Sequence, residues 1–418
     1  MKSSKRFFNI LVIDSAVYPL YYGYMQEIFG RCFPERGHKV TWLLQTKSSA
    51  TYGESRQLNE TEVILIPGRP STGYWTSFDN SLKYTKGLSQ LLPYIVTNHS
   101  IDVIFCRNYV QSAIAAYRVS KRFNIPFVYY LGFPLFEAKQ LSARRRHRKD
   151  RVIIEILSFL GISLRNWITR RADFVFTMSD YWAKQVIEDL GVSQDRIQSL
   201  PAGFDASINP EAVDGTKIRD QFNLSDHPTL FYMGTITPPR DVPIMADILA
   251  KVVQQIPEAE LLLLYGNGEE KQVPVLRRKF AEKGVEKNVI FAPTVRYDQV
   301  PAYIAASHVG LSPFETIPLY MTGSAYKFIE MLGMACPVVA SNTPEQESIL
   351  RRTKAGICVP YKADAFAEAV VYILTHPEEA REMGRRGRDF VLKERSYDVL
   401  TDRVEEVFQR LVVRRYGP

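Results

Sequence analysis

A ten-residue window from Gly323 to Leu332 carries residue types at a spacing that could bind a nucleotide. Ser324 can cap a helix on which Lys327 and Glu330 lie three residues apart, and therefore on neighbouring parts of one face. Exposed amides at a helix start attract a diphosphate, a lysine adds positive charge, and a carboxylate one turn deeper can accept both hydroxyls of a ribose. A surface ion pair worth about 0.2–0.5 kcal/mol is the simpler alternative, and the window alone favours it.

The elements around this window follow a regular alternation of strand, loop and helix. The predicted strands cover 10–13, 40–44, 63–66, 102–106, 126–131 and 173–178 in the first half, and 230–233, 261–265, 289–292 and 309–312 in the second. The predicted helices cover 111–122, 181–190, 244–255, 273–283 and 299–306. Such alternation predicts an α/β fold with a parallel sheet in each half.

The polar, turn-rich segment from Pro201 to about Gly215 separates the two halves. We divide the chain after residue 205, which gives domains of 1–205 and 206–395 and a helical tail of 396–418. Strand ends and helix starts bind ligands in folds of this kind. The pattern therefore predicts two Rossmann-like domains facing each other across a cleft.

Composition supports a folded protein of two domains. The 418 residues are 46% apolar and 23% charged, without long biased runs. We expect no membrane-spanning segment, because the nearest apolar run, 152–164, is interrupted by Glu155. The start does not resemble a signal peptide, so we expect the protein in the cytoplasm. The four cysteines are far apart and predict neither disulfides nor a zinc site.

The window from Gly323 resembles the nucleotide-binding helix of the GT-B glycosyltransferases of family 4. Further segments are similar to motifs of that family and follow in the expected order: Gly37-His38-Lys39-Val40, Pro201-Ala202-Gly203-Phe204-Asp205, Gly266-Asn267-Gly268, Val309-Gly310-Leu311-Ser312-Pro313 and Ala355-Gly356-Ile357-Cys358-Val359-Pro360. Each match is weak by itself, whereas the ordered set is specific. The likeness is closer over 170–395 than over 45–140.

The resemblance implies GT-B architecture, with acceptor binding by 1–205, nucleotide-sugar binding by 206–395, and a tail that packs back toward the first domain. It implies that Glu330 binds the ribose and that Lys327 lies near the phosphates. The remaining donor-binding positions that it implies are glycine turns and the start of the nucleotide-binding helix: Gly23, Gly234, Thr235, Gly266, Thr322, Gly323, Ser324, Ala325 and Tyr326.

Three positions of the second domain depart from the family pattern. Thr235 follows Gly234 where the family often has an arginine, and Arg240 takes the place of a lysine. Arg240 is therefore expected to share the phosphate charge with Lys327, as a planar donor, although a solvated loop charge is the alternative. Thr322 stands where the family has the first of two glutamates, which leaves the mode of sugar binding open.

The first domain offers fewer specific positions. Gly23 closes a loop after the first strand, where the resemblance implies contact with the donor diphosphate, although a tight turn also explains one glycine. Arg107 and Glu137 follow predicted strands and are candidates for acceptor binding. Packing at the rim of the core explains these two residues equally well.

A basic cluster from Arg144 to Arg151 precedes an apolar stripe at helical spacing. The stripe comprises Ile153, Ile156, Leu157, Leu160, Leu164 and Ile168. One interpretation is docking on an anionic membrane surface, and the other is a helix packed in the core with a solvated basic start. The net charge of +8 permits anionic partners, but no nucleic-acid motif accompanies the cluster, and no nucleic-acid partner is expected.

The resemblance implies a hexosyltransferase-like enzyme that moves a sugar from a nucleotide-diphosphate sugar to a sugar or lipid-linked acceptor, with retention, in polysaccharide or glycolipid synthesis. We expect no cofactor besides the donor, and no metal, because no Asp-x-Asp triplet occurs in the sequence. One alternative is a non-catalytic protein of the same fold that binds membrane or polyanion. A dinucleotide-dependent oxidoreductase fits less well, because no G-x-G-x-x-G follows the first strand.

Overall fold

Two sheets covered by helices account for the alternation of strands and helices in the sequence. The computed structural model describes residues 6–19, 23–46, 53–67, 74–145, 150–224, 226–237 and 242–417. The chain divides into two compact units. The first comprises Met1–Glu137, Val152–Pro201 and Tyr397–Pro418, and the second comprises Ala138–Arg151 and Ala202–Ser396. The predicted α/β class with two Rossmann-like domains is confirmed.

The elements up to residue 199 are, in chain order, β1 (Asn9–Val17), α1 (Gly23–Met25), α2 (Phe33–Glu35), β2 (Lys39–Thr46), β3 (Glu54–Leu58), β4 (Thr61–Pro67), α3 (Tyr74–Asn98), β5 (Val103–Arg107), α4 (Val110–Phe123), β6 (Phe127–Leu131), α5 (Leu135–Arg145), α6 (Arg151–Arg171), β7 (Phe174–Thr177), α7 (Asp180–Leu190) and β8 (Ile197–Ser199). A π-helical stretch, Gln26–Cys32, joins α1 to α2.

The elements after residue 199 are α8 (Thr216–Gln221), β9 (Thr229–Gly234), α9 (Ile244–Val253), β10 (Glu260–Tyr265), α10 (Val273–Glu282), β11 (Val289–Ala292), α11 (Val300–Ala305), β12 (Val309–Ser312), α12 (Pro318–Met321), α13 (Tyr326–Gly333), β13 (Val338–Ser341), α14 (Pro344–Thr353), β14 (Gly356–Val359), α15 (Ala363–Thr375), α16 (Pro377–Glu394) and α17 (Tyr397–Tyr416). Single 3₁₀ turns, such as Tyr297–Gln299, connect several of them.

The sheet of the first unit has the strand order β3-β4-β2-β1-β5-β6-β7-β8 within the described residues. Neighbouring strands are parallel, except that β3 runs antiparallel to β4. The inner strands are almost continuously apolar because helices cover both faces of the sheet. The edge strand β3 is polar and largely exposed, and it was not predicted from the sequence.

The sheet of the second unit is parallel, with the order β11-β10-β9-β12-β13-β14 in the described part of the chain. Apolar side chains form a core layer on each face. One layer joins the sheet to α9 and α15, and the other joins it to α11, α13 and α16. The predicted strands of this half agree with the observed ones to within one residue at each end.

Helix α13 is held against the sheet by close contacts at two glycines. A Cβ added to Gly310 of β12 would lie 2.3 Å from the Sδ atom of Met331 on α13. A Cβ added to Gly333, the last residue of α13, would lie 2.6 Å from the ring of Phe204. The C-terminal end of the helix that carries Lys327 and Glu330 is therefore held in place.

Helix α6 presents its apolar residues outward. Of the six residues in the predicted stripe, only Ile168 is buried, and the other five are exposed. The interpretation of this helix as packed in the core through its stripe is therefore wrong. By length and composition, α6 is long and apolar enough to cross a membrane. The expectation that the chain has no membrane-spanning segment stays a prediction.

The loop after α13 is supported by close packing with α16. Ala335 has a left-handed backbone conformation with φ of 55°. Its carbonyl oxygen lies against Gly384 of α16, where an added Cβ would approach within 1.9 Å of that oxygen. Because the opposing atom belongs to the backbone, no side-chain rotation relieves the overlap.

We predict that Gly384→Ala destabilises the protein by about 1–3 kcal/mol through this overlap. Urea unfolding followed by circular dichroism measures the change. Gly30→Ala is the matched control, because Gly30 is also in a helical segment but the nearest atoms to an added Cβ are 3.8 Å away. Equal unfolding midpoints for Gly384→Ala and the wild type would contradict the packing described here.

Candidate functional site

The second sheet has a topological switch point between β9 and β12. The chain proceeds from β9 through β10 to β11 on one side, and from β12 through β13 to β14 on the other. The loops at the carboxyl ends of β9 and β12 therefore diverge and leave a crevice at that end of the strands. Open α/β sheets bind ligands in such crevices. Gly234 ends β9, and Ser312 ends β12.

Lys327 lies at this switch point. Its ammonium group is 3.9 Å from the ring centroid of Tyr232 on β9 and 5.0 Å from that of Phe314, two residues beyond β12. The negative faces of both rings attract the cation. Gly234 has φ of 134°, and an added Cβ would lie 3.3 Å from the Nζ atom, so a side chain there would be strained and would crowd the lysine.

Glu330 follows one turn later on α13 and is 8% exposed. Burial raises the pKa of its carboxyl from the ordinary 4.5 to about 7, while a hydrogen bond from Tyr297 and the positive charge of Lys327 oppose the rise. The predicted pair of Lys327 and Glu330 is thus brought together. It is not the solvated surface pair of the simpler interpretation, because the carboxylate is buried.

Glu269 is a functional candidate that the sequence patterns did not indicate. It follows β10, and its carboxylate accepts hydrogen bonds from the amide of Ile236 at 2.8 Å and the hydroxyl of Thr237 at 2.7 Å. Gly266 gives the carboxylate room, since an added Cβ would lie 3.0 Å from its Oε2 atom. Glu269 therefore ties the glycine turn after β10 to the loop that follows β9.

Thr235 begins that loop and is exposed, and its carbonyl accepts a hydrogen bond from the Tyr232 hydroxyl at 3.2 Å. Tyr232 thus contacts Lys327 with its ring and holds the loop with its hydroxyl. Arg240, the second predicted phosphate cation, lies outside the described residues, so its role stays a prediction.

The segment before α13 differs from the predicted cap. Ala325 is the N-cap residue, and no side chain caps the helix. The buried hydroxyl of Ser324 instead donates to Glu345 at 2.9 Å and accepts from the amide of Ala202 at 3.0 Å. The capping role predicted for Ser324 is wrong because its hydroxyl is directed into the interior, where Glu345 also binds Arg395 at 3.2 Å.

The other predicted donor positions lie beside Ser324. Thr322 is buried, and its hydroxyl donates to the carbonyl of Leu319 at 3.1 Å, within its own turn. Gly323, Ala325 and Tyr326 are partly exposed at the start of α13. The first amides of a helix have no partner within the helix, so this start can present donors to an anion.

The basic segment contributes to the same unit through Arg145. Its guanidinium binds Glu315, three residues beyond the end of β12, at 2.6 Å. Residues 146–149 lie outside the described residues, so the predicted membrane contact of the cluster is not tested there. Glu315 therefore holds Arg145 near the end of β12.

The predicted acceptor residues of the first unit both form ion pairs. Arg107 binds Asp14 of β1 at 2.8 Å and lies over the ring of Tyr24, 5.3 Å from its centroid. This pair occupies the switch point between β1 and β5, next to Gly23, which begins α1. Asp14 was not predicted as a site residue, although it directly follows the first predicted strand, 10–13.

Glu137 has a different environment. Its carboxylate binds the guanidinium of Arg165 through both oxygens, at 2.8 and 3.0 Å. The contact joins the first turn of α5 to α6. A structural role therefore accounts for this residue within the described part of the unit, and its role in acceptor binding stays a prediction.

Comparison with known proteins agrees with the fold. The family model described as Glycosyl transferases group 1 matches residues 227–376, and the model described as Glycosyltransferase Family 4 matches residues 28–208. The two matches together cover most of the chain. The chain belongs to the family 4 glycosyltransferases.

A relative of this glycosyltransferase is the GDP-mannose-dependent alpha-(1-6)-phosphatidylinositol monomannoside mannosyltransferase of Mycobacterium tuberculosis, to which it is 24% identical over 238 residues. The aligned part is 56% of this chain and 61% of that protein, so the chain spans about three fifths of the length of this curated relative.

Two solved structures share the fold over nearly the whole chain. Sucrose-phosphate synthase from Thermosynechococcus elongatus has a TM-score of 0.75 at 18% identity and covers 97% of this chain and 100% of that one. Anabaena HepE in complex with UDP-glucose has a TM-score of 0.70 at 17% identity and covers 96% of this chain and 100% of that one. These likenesses show the GT-B fold.

Glu330→Gln should remove a pH dependence of stability that the buried carboxyl imposes. Because the folded-state pKa is about 7 and the ordinary value is 4.5, the folded protein holds this proton more tightly than the unfolded chain does. The stabilising contribution is complete below the ordinary pKa and is lost as the pH rises through the folded pKa, by ~3 kcal/mol in total. As the pH rises from about 5 to about 8, the wild type should therefore lose stability that the variant keeps, so the stability of the variant relative to the wild type should increase.

Urea unfolding of the ligand-free protein, followed by circular dichroism at several pH values, measures this difference. Glu368→Gln, on the exposed face of α15, is the control and should follow the wild type. Parallel pH profiles for the wild type and Glu330→Gln would show that the carboxyl of Glu330 is not buried as described.

Proposed function

We propose that this chain transfers a sugar from a nucleotide-diphosphate sugar to a hydroxyl acceptor. The observation that carries the proposal is the arrangement on α13. The ammonium of Lys327 lies between the ends of β9 and β12, and the carboxylate of Glu330 lies one turn deeper. This pair suits a diphosphate next to a ribose, because the cation meets the phosphates and the carboxylate accepts the two ribose hydroxyls.

Glu330 near neutral pH is compatible with this role. With a pKa of about 7, the carboxyl changes protonation readily when a ligand presents hydroxyl donors to it. A bound ribose would favour the ionised form because both of its hydroxyls donate. The relatives named above use GDP-mannose or bind UDP-glucose, and we propose the same class of donor here without choosing the base or the sugar.

The reaction breaks the bond between the anomeric carbon and the diphosphate oxygen, and the diphosphate leaves with the electron pair. Fixed positive charge at the leaving group lowers the barrier because it stabilises charge that develops in the transition state. Lys327 and the first amides of α13 supply this charge, and we assign Arg240 the same task. The acceptor oxygen forms the new bond to the anomeric carbon in place of the diphosphate, and the proton of the acceptor hydroxyl passes to the released diphosphate or to solvent.

We further propose that the reaction retains the configuration at the anomeric carbon, needs no metal, and uses no cofactor besides the donor. Within the described residues, no group of three or more His, Cys, Asp or Glu side chains could hold a metal ion. We assign the acceptor, a sugar or a lipid-linked sugar of polysaccharide or glycolipid synthesis, to the first unit, near Arg107 and Asp14 at its sheet edge.

Glu330→Ala should weaken binding of the donor by about 10–100-fold, because two hydrogen bonds to a charged group are lost. Titration calorimetry with UDP- and GDP-sugars measures the affinity. Glu368→Ala makes the same chemical change on the exposed part of α15 and should bind like the wild type. An unaltered affinity in Glu330→Ala would remove the ribose assignment.

Lys327→Ala should lower kcat by about 10²–10³-fold, because a fixed donor to the leaving diphosphate is lost. Release of nucleoside diphosphate in the presence of acceptor measures the rate, and Lys287→Ala, an exposed lysine of the same unit, is the control. If the wild type binds donors but never releases sugar from them, the alternative of a non-catalytic binding protein is the correct one.

Excess chelator should leave the rate unchanged, because side chains and amides rather than a metal neutralise the diphosphate. Proton NMR of the first product formed should show the anomer of the donor sugar. Activity that is lost with chelator and restored by a divalent ion would contradict the metal-independent reaction, and an inverted product would contradict retention.

A further inference from the structure

The exposed apolar side chains of the described residues are concentrated on α6. Eight of the seventeen large apolar side chains that are exposed in the described chain belong to this one helix: Val152, Ile153, Ile156, Leu157, Phe159, Leu160, Leu164 and Trp167. Their spacing of three and four residues places them on one side of the helix. Contiguous exposed apolar surface of this size marks an interaction site.

The opposite side of α6 is docked onto the first unit. Gly161, near the middle of the helix, packs so closely that an added Cβ would lie 2.2 Å from the ring of Phe136. Ser158 and Thr169 are buried, and Arg165 forms the bidentate pair with Glu137. The helix therefore buries a side of small and polar residues and exposes an apolar side. A helix that packs its apolar stripe against the core does the reverse.

The contacts of the docked side run from Ser158 to Thr169, along the C-terminal half of α6. A helix held along one side in this way lies flat on its unit, so the exposed side can meet a planar surface over a length of about 30 Å. Crossing a bilayer would require breaking the pair of Arg165 and Glu137 and exposing their charges to lipid.

Arginines lie at both ends of the apolar side. Arg151 is the exposed first residue of the helix, and Arg170 and Arg171 are exposed at its end. The guanidinium of Arg171 lies 4.2 Å from the ring centroid of Trp167. Glu155 is the single acidic residue of α6. An apolar side bordered by cations is complementary to acyl chains beneath anionic headgroups.

We infer that α6 is a membrane-docking surface that lies in the plane of an anionic bilayer. The apolar side chains enter the boundary between headgroups and acyl chains, and the arginines reach the lipid phosphates while their stems remain with the apolar side. Trp167 is suited to this depth because its ring is apolar and its indole N–H is polar. Docking goes beyond the proposed transfer reaction and does not depend on donor binding.

The test is flotation of the full chain with vesicles of phosphatidylcholine containing about 30% phosphatidylglycerol, beside vesicles of phosphatidylcholine alone. The triple variant Ile156→Gln, Leu160→Gln, Leu164→Gln removes apolar contacts at exposed positions, where folding does not require them. Binding of this variant should fall at least about tenfold. A matched triple variant at exposed apolar positions on other helices, Val275→Gln, Leu392→Gln, Val413→Gln, should bind like the wild type.

A second variant separates charge from insertion. Arg170→Gln, Arg171→Gln should weaken binding to the anionic vesicles and reduce its dependence on salt, because fewer phosphates are contacted. Acyl chains brominated near the headgroup should quench the tryptophan fluorescence of bound wild type, and Trp167→Phe should lose most of that quenching. Quenching that is unchanged in Trp167→Phe would show that α6 does not enter the bilayer.

Three results would overturn the inference. They are absence of wild-type binding to anionic vesicles, equal loss of binding in the two triple variants, and a wild-type dimer in sedimentation that the α6 variant converts to a monomer. The last result would assign this side to a second copy of the chain. Donor affinity measured in the same α6 variant should be unchanged, so a failure of docking and a failure of the proposed reaction are distinguishable.

Discussion

A lysine ammonium held against two aromatic rings at the end of a parallel sheet is the interaction on which the candidate site of the second unit depends. Lys327 reaches Tyr232 and Phe314 only because Gly234 leaves room for its Nζ atom and because α13 lies close to β12 at Gly310. A larger residue at either glycine would displace the cation. The fold therefore fixes a positive charge where a ligand can reach it.

A buried polar network secures the entrance to α13. Ser324 joins the backbone at Ala202 to the carboxylate of Glu345, which also binds Arg395. Buried polar groups are stable only when they are paired, so loss of one member would leave the others unsatisfied. The network holds the chain immediately before the helix while leaving the first helical amides directed elsewhere.

The alternation of apolar runs was sufficient to predict ten of the fourteen strands in the described residues, because strands covered on both faces are apolar throughout and interrupted by turns. The strands β3, β8, β13 and β14 were not predicted. The pairing of Lys327 with Glu330 followed from helical spacing. The burial of Glu330 and the role of Glu269 could not be predicted, because both depend on neighbours distant in sequence. The role of Ser324 was misinterpreted because the hydroxyl of a serine before a helix can either cap the helix or bind a group in the interior. Which of the two occurs depends on the position of Glu345, which the sequence does not reveal.

The orientation of α6 could not be predicted for a related reason. An apolar stripe at helical spacing is the same in sequence whether it meets a core or a membrane. The orientation of α6 is determined by the side opposite the stripe, where Gly161 and Phe136 are in close contact. The domain boundary near residue 205 was predicted from a polar segment of the sequence. The acceptor and donor roles of the two domains stay predictions.

The polar edge strand β3 has a consequence for a chain that carries so much uncovered apolar surface. An unpaired strand edge recruits strands from other molecules, and charged side chains on a short, exposed edge prevent this. Glu54 and Arg56 pair with each other on β3, and β8 at the other edge is only three residues long. Both borders of the first sheet, as the described residues form it, are therefore poor templates for β-aggregation.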